Sequence, residues 1–433
     1  MSANRMGSGA TRVRVVVSYV LGALSLLCLL AASPPASALD PDRPIGQFTH
    51  VWYENQLPQG TVLSLAQHAD GALWLSTYAG LVRHSGEGFA VIDPRSDPVL
   101  RSSAITALAP DGGRGLWIGT LNGGLYHRLD RTLREVPLPA GATSVFGIVH
   151  DSSGALWLTT DAGVVRMVDG TARLLGDADG FPPRGFYRSI AADRAGGVWI
   201  AADGLGVVHW HQGRARLYEE ADGLPSNAVY SLSVDAAGVA WVGTQHGPAY
   251  FRAGRFHREP RAAALDRARI YTLHGDQQGA VWFAPLDGGL CRLTPAAFSC
   301  NDRLAGLRGE TVRSMLEDHE GNLWIGTTSS GLHRLSQSKL VTITGEMASN
   351  AVRAVHPAPD GTLWIGTDGG GLARYRDPVL EPGGLALFIS QSGETADTLA
   401  ALRHCKAADQ TIAVVVNVPT SSARRRACSC IDS

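Results

Sequence analysis

Lysine is nearly lacking in this sequence. Of 38 basic residues only Lys339 and Lys406 are lysines, so chemistry that needs a side-chain amine, such as a Schiff base, has two places to occur. Net charge is lacking too. With 38 basic against 39 acidic residues the formal charge is −1, and nucleic acid, whose phosphates demand a concentrated cationic face, is not an expected partner. Six cysteines are too few for a disulfide-rich scaffold, and Cys428 and Cys430 are too isolated to read as half of a metal site. There is no G-x-S-x-G elbow and no H-E-x-x-H pair, so no catalytic set is assigned. Past residue 38 no apolar run is long enough to span a bilayer.

What is present begins with an export signal. Arg5, Arg12 and Arg14 precede an apolar run from Val15 to Ala32, and Ala36-Ser37-Ala38 has the small-x-small form of a cleavage site. Residues 1–38 are therefore expected to direct the chain to the periplasm or beyond. Membrane attachment is expected only if this segment stays uncleaved, since about 18 apolar residues lie at the lower edge of spanning length. In an oxidising compartment Cys291 and Cys300, read as lying on neighbouring strands of one hairpin, can form a disulfide; two buried thiols are the alternative.

Glycine is abundant, at 51 residues, and it recurs with a period. Trp74, Trp117, Trp157, Trp199, Trp241, Trp282, Trp324 and Trp364 stand about 40 residues apart. Around each the same unit is legible, as in "GIVHDSSGALWLTTDAGVVR", "SLSVDAAGVAWVGTQHGPAY" and "SMLEDHEGNLWIGTTSSGLH". An alternating apolar segment meets an Asp-and-Gly turn, an apolar-Trp-apolar segment follows, and a second glycine turn leads to a third strand. Asp151, Asp193, Asp235, Asp276 and Asp318 each lie three residues before a glycine. Asp accepts turn N–H groups and Gly supplies positive φ, so these read as turn residues rather than as catalytic or calcium-binding groups.

Such a unit cannot bury its faces alone. Radial stacking around a channel solves this, which predicts an all-β fold, a β-propeller of seven or eight four-stranded blades over residues 45–375 with the tryptophans as core between blades. An aromatic sugar-binding row is the alternative for those tryptophans. The strand around Phe48 to Trp52 is expected to close the ring by joining the last blade. His209-Trp210-His211 puts two imidazoles on one strand face, but no third ligand is evident, so neither a metal nor a cofactor is assigned.

The "LWIGT…GL" units and the opening from Phe48 to Asp93 resemble the two-component-regulator type of β-propeller repeat. This resemblance implies the periplasmic input region of membrane-bound histidine kinases or diguanylate cyclases, that is, a sensing module for an unidentified small molecule, glycan or protein. The sequence departs from that plan after the eighth repeat, where no kinase or cyclase signature follows.

After Tyr375, "RDPVLEPGG" reads as a junction and the tail as α/β: a strand from Leu385 to Ile389, a loop, a helix from Thr395 to Lys406 and a strand from Thr411 to Val418. "ISQSGETADTLAALR" resembles the sugar-isomerase fold, SIS, of the glutamine–fructose-6-phosphate aminotransferase family over residues 383–420. The resemblance implies that Ser390, Gln391, Ser392 and Thr395 hold a sugar phosphate, as hydroxyls at a helix start suit an anion. Aminotransferase activity is not expected. Ser2 opens a signal segment where that family has a nucleophilic cysteine, and neither lysine matches the family's Schiff-base position. Residues 421–433 are read as an unstructured tail. A propeller lyase or dehydrogenase is a further rival, for which the loops supply no acid, base or cofactor set.

Overall fold

The computed structural model describes residues 38–337, apart from 54–55, 87 and 183–184, together with segments 352–357, 362–367, 371–376, 385–390 and 411–416. Except for Ala38, the expected export segment lies outside the described residues.

The alternating segments form antiparallel hairpins, and the hairpins form blades. Six consecutive four-stranded sheets begin with the strands Ser64–Gln67, Ile105–Pro110, Val145–His150, Phe186–Ala192, Val229–Val234 and Ile270–Gly275. They are blades 1 to 6. Blade 7 is made of Val312–Glu317, Leu323–Thr327 and Leu332–Ser336, with the N-terminal strand Thr49–Tyr53 as its outermost member. The first strand of each blade packs against the first strands on either side, and that of blade 7 meets that of blade 1. Seven blades therefore close a ring about an axis, with the early strand sealing it as its sequence position suggested.

The eighth repeat contributes no blade. Val352–Pro357, Thr362–Thr367 and Gly371–Arg376 form a three-stranded sheet of their own, in a second compact unit that takes in residues 337–433. The ring thus ends at Ser336 instead of near residue 375. Blade 7 already has its fourth strand and already meets blade 1, so no gap remains for another wedge. In the second unit Leu385–Ser390 and Thr411–Val416 pair in parallel, Leu385 opposite Thr411 and Ser390 opposite Val416, the arrangement a strand–helix–strand reading requires. The expected helix from Thr395 to Lys406 lies outside the described residues.

The ring's tryptophans sit on second strands and fill the space toward the next blade. Trp157 clusters with Val198, Ile200 and Trp210 of blade 4, Trp241 with Ile270 and Phe283 of blade 6, and Trp324 with Val62 and Leu75 of blade 1. Trp74, Trp199 and Trp282 are likewise buried, and Trp117 is partly buried. Trp364 is partly buried in the second unit.

Four of the indoles are also fastened by their own turns. Asp151 Oδ1 accepts the N–H groups of Ser153 (2.9 Å) and Ala155 (3.0 Å), while its Oδ2 accepts the indole N–H of Trp157 at 2.8 Å. Gly154 lies between them at φ +84°, where a side chain would be strained. The indole bond repeats from Trp241 to Asp235 (2.8 Å), Trp282 to Asp276 (3.0 Å) and Trp324 to Asp318 (2.6 Å). Burial alone would raise the Asp151 carboxyl, but the hydrogen bonds from Ser153, Trp157 and Ala155 outweigh it and hold the group below the usual carboxylate range. The turn aspartates therefore do more than the sequence reading assigned: they clamp the inter-blade core as well as the turn.

A buried histidine sits at the closure of the ring. His333 of blade 7 is fully buried; its Nδ1 lies 3.0 Å from His50 Nε2 and its Nε2 3.0 Å from Ser330 Oγ. Trp52 stacks on the same ring and donates its indole N–H to Ser330 O at 2.6 Å. Burial, with His50 beside it, pushes the His333 pKa down to about 3 from 6.5.

Two outcomes are expected. Trp157→Ala should cost about 3–5 kcal/mol in urea-unfolding experiments, through lost burial and a cavity, and Asp151→Ala about 1–3 kcal/mol, through a stranded indole N–H and untied turn; a loss under 0.5 kcal/mol for both would contradict the clamp. Because folded His333 binds its proton far below pH 6.5, the unfolded chain is protonated first on acidification. The contribution of His333 is thus full above about pH 6.5 and declines as pH falls from there toward about 3. In thermal melts across that window, His333→Gln should flatten the acid-side fall of the melting temperature relative to the parent.

Candidate functional site

The innermost strands share one irregularity. In blades 2 to 7 the pairing of the first strand with the second shifts by one residue, between Ile105 and Ala107, Val145 and Gly147, Tyr187 and Ser189, Val229 and Ser231, Ile270 and Thr272, and Val312 and Ser314. The extra residues are Thr106, Phe146, Arg188, Tyr230, Tyr271 and Arg313. A bulge bends its strand and re-aims the unpaired side chain. These six, with Leu63 from blade 1, line a central cavity of about 500 Å³.

Beside them on each strand sits a small residue, such as Ser64, Gly147 or Ser314, where the strands converge on the axis. A Cβ at Gly147 would come within 2.8 Å of Ile190 Cγ2 and 2.9 Å of Thr159 Oγ1. Hydroxyls at this level lace neighbouring blades: Thr106 donates to Val145 O, Thr272 to Val312 O (2.7 Å) and Ser314 to Val62 O (3.3 Å). Leu65, Leu108, Ile148, Leu232 and Met315 then narrow the channel with apolar surface.

One side of this cavity is cationic and aromatic. Arg188 donates to Asp203 Oδ2 (3.2 Å) and to the Tyr271 hydroxyl (3.3 Å), and its guanidinium lies 5.5 Å from the Phe186 ring centre and 5.8 Å from that of Tyr230. Arg313 donates to the same Tyr271 hydroxyl and sits 5.1 Å over that ring. Arg313 has no carboxylate partner among the described residues, whereas Arg188 has Asp203. Tyr230 stacks on Tyr271 at 5.9 Å, and Phe146 meets Phe186 edge-on at 4.9 Å. Phe186 and Tyr78 remain 45% and 42% exposed, unusual for large aromatic side chains in an otherwise well-filled ring.

Chemically this surface offers groups that suit an anion and a ring. A guanidinium with no carboxylate partner offers a fork for a carboxylate or phosphate, and the aromatic faces suit a planar or sugar ring. Among the described residues the cavity lining contains no carboxylate, imidazole, thiol or amine. The site was missed in the sequence, although a signal exists. Each lining residue stands eleven positions before its repeat's tryptophan, as Arg188 does before Trp199 and Arg313 before Trp324. At that position identity varies while the flanking pattern stays constant.

Of the residues singled out in the sequence, Ser390 ends the strand Leu385–Ser390, and Gln391, Ser392 and Thr395 lie outside the described residues. Cys291 and Cys300 are register partners on adjacent strands of blade 6 and are joined, with an S–S distance of 2.01 Å. His209 and His211 gain the third ligand the sequence did not reveal, Asp193, with one ligand atom from each lying within 4.8 Å of the others. His209 Nε2 lies 2.6 Å from Asp193 Oδ2, and its ring stacks on Trp199 at 3.7 Å. Blade 2 has the same arrangement, His127 with Asp111 at 3.0 Å and Trp117 at 4.3 Å, so this pair belongs to the repeat's turn clamp. The rings of His209 and His211 lie 18° from parallel with centroids 5.6 Å apart.

Three segments, residues 223–246, 306–329 and 346–369, match the family described as two component regulator propeller. Residues 368–433 match the SIS domain family. The fold is that of the extracellular domain assigned to a hybrid two component system of B. thetaiotaomicron, with a TM-score of 0.62 and 20% identity over 76% of this chain and 48% of that one. It is also that of a streptogramin B lyase, with a TM-score of 0.55 and 15% identity over 68% of this chain and 99% of that one. The tail is 78% identical over 54 residues to glutamine–fructose-6-phosphate aminotransferase of Zymomonas mobilis and 62% identical over 52 residues to that of Caulobacter vibrioides. Those stretches are 12% of this chain and 9% of each aminotransferase. The chain thus spans about half the length of the first extracellular domain and under a tenth of the aminotransferases.

Proposed function

We propose that this chain is an exported propeller of the sensor type, which recognises an anionic ligand with a planar or sugar ring at the mouth of its central channel. The observation that supports it is the ring of bulged residues: six repeats spend their one irregular position on side chains that line the cavity, and one of these, Arg313, has no carboxylate partner among the described residues. Repetition accounts for the blades. It does not account for two arginines and two tyrosines gathered at a position where the other repeats place Leu63, Thr106 and Phe146.

The likeness of the propeller to a two-component extracellular domain supports sensing, and the layout of residues 1–38 supports export. The tail favours a second reading, in which Ser390, Gln391, Ser392 and Thr395 bind a sugar phosphate; its close identity to the aminotransferases over 54 residues is what favours it.

Screening carboxylated and phosphorylated sugars and aromatic acids by calorimetry should yield a ligand whose affinity falls about tenfold or more in Arg313→Gln, the scale of a lost charge-assisted fork. Binding that survives this change but is lost in Ser392→Ala would transfer the ligand to the tail. N-terminal sequencing of protein recovered from a periplasmic extract should begin at Leu39; recovery only in the cytosol with Met1 or Ser2 first would contradict export.

A further inference from the structure

A second cavity, of about 510 Å³, opens between blades 1 and 2, lined by Trp74 and Arg83 of blade 1 and by Arg114, Arg128 and Arg131 of blade 2. We propose that this cleft binds a phosphate or sulfate group, either as the free oxyanion or as an ester carried on a sugar.

Charge imbalance is the first observation. Four guanidiniums face a space whose lining holds two carboxylates, and both of those are engaged: Asp70 with Arg83 at 3.1 Å and Asp130 with Arg114 at 3.0 Å. Arg128 and Arg131 form no ion pair among the described residues. Arg128 is half-buried, and burial lowers its pKa; Asp97 opposes this, while Arg83 and Arg131 add to it. Like charges held together at a partly desolvated position call for an anion between them.

An unanswered donor is the second. Trp74 is only 5% exposed, yet its indole N–H meets no acceptor. In Trp157, Trp241, Trp282 and Trp324 the same N–H is taken by the turn aspartate. Blade 1 differs because Asp70 is drawn to Arg83 and to His68, whose Nδ1 is 2.9 Å away; in blade 2 Asp111 is likewise drawn to His127 and the Trp117 N–H is also unmet, but only Trp74 lines a cationic cleft. The Trp74 ring in addition has guanidiniums from two blades over it, Arg83 at 5.9 Å and Arg128 at 5.3 Å, and Arg128 Nε is itself buried without an acceptor. A buried donor left unmet is costly; both atoms are closed to solvent here, so an acceptor in the cleft would answer them as the side chains at its wall shift.

The donor arrangement indicates the ligand class. The indole and Arg83 come from blade 1 and Arg128 and Arg131 from blade 2, a donor set drawn from both walls that suits the several oxygens of a tetrahedral oxyanion better than the two coplanar oxygens of a carboxylate. The cavity is also larger than a bare oxyanion needs, leaving room for a sugar-sized remainder. The cleft draws on none of the bulged residues, so it is independent of the channel reading.

The test titrates the full chain with inorganic phosphate, inorganic sulfate and a monosaccharide sulfate, at constant ionic strength set with chloride, followed by Trp fluorescence and calorimetry. Saturable binding is expected, weakened about tenfold or more in Arg128→Gln and several-fold in Trp74→Phe, which keeps the ring and removes the N–H. Arg131→Gln, at an exposed turn, is the safeguard should Arg128→Gln fail to fold, and it should also weaken binding. Equal affinity for free and esterified sulfate assigns the oxyanion alone; an ester tighter by about tenfold assigns a sulfated sugar. No saturation above the chloride control, or affinities unchanged in Arg131→Gln and Trp74→Phe, would overturn the proposal.

Discussion

The structure depends on one carboxylate used twice. In blades 3, 5, 6 and 7 a turn aspartate ties the main chain of the hairpin with one oxygen and the indole of the second strand with the other. A single residue thereby couples local chain reversal to the packing of one blade on the next, and the coupling repeats around the ring. Where a third-strand histidine or arginine takes the carboxylate instead, as in blades 1, 2 and 4, the tryptophan is held by stacking on that residue or its guanidinium. The clamp tolerates this exchange because strand pairing places the third-strand residue directly opposite the tryptophan.

Much of this architecture was legible because it is written in constants. A tryptophan about every 40 residues, a glycine three residues after an aspartate, and apolar alternation all report interactions that most units repeat. Blade number was not legible in the same way. It depends on the pairing of Thr49–Tyr53 with Leu332–Ser336 across nearly the whole ring, and neither partner differs locally from an ordinary strand. The eighth repeat carries the same marks as the others, yet Trp364 lies in a three-stranded sheet.

The channel residues were invisible for the opposite reason. Thr106, Phe146, Arg188, Tyr230, Tyr271 and Arg313 share a position but no one side chain, so a search for sameness passes over them. Their kinship appears only when pairing shows a bulge at each. Asp193 was hidden differently: it stands on a turn sixteen residues from His209 and was already explained by turn chemistry. Scaffold and channel lining are thus separated within each unit, one position fixed by the fold and another, eleven residues earlier, free to vary.

The seal at blade 7 sets an order of events. A chain emerging N-terminus first, from a ribosome or through a membrane pore, presents Thr49–Tyr53 long before its partner strand exists. Early hairpins can form as they appear, but the first strand must wait, unpaired, until the final wedge arrives. Closure is therefore the last and most long-range step of assembly, and an interruption anywhere upstream leaves an open arc with a waiting edge.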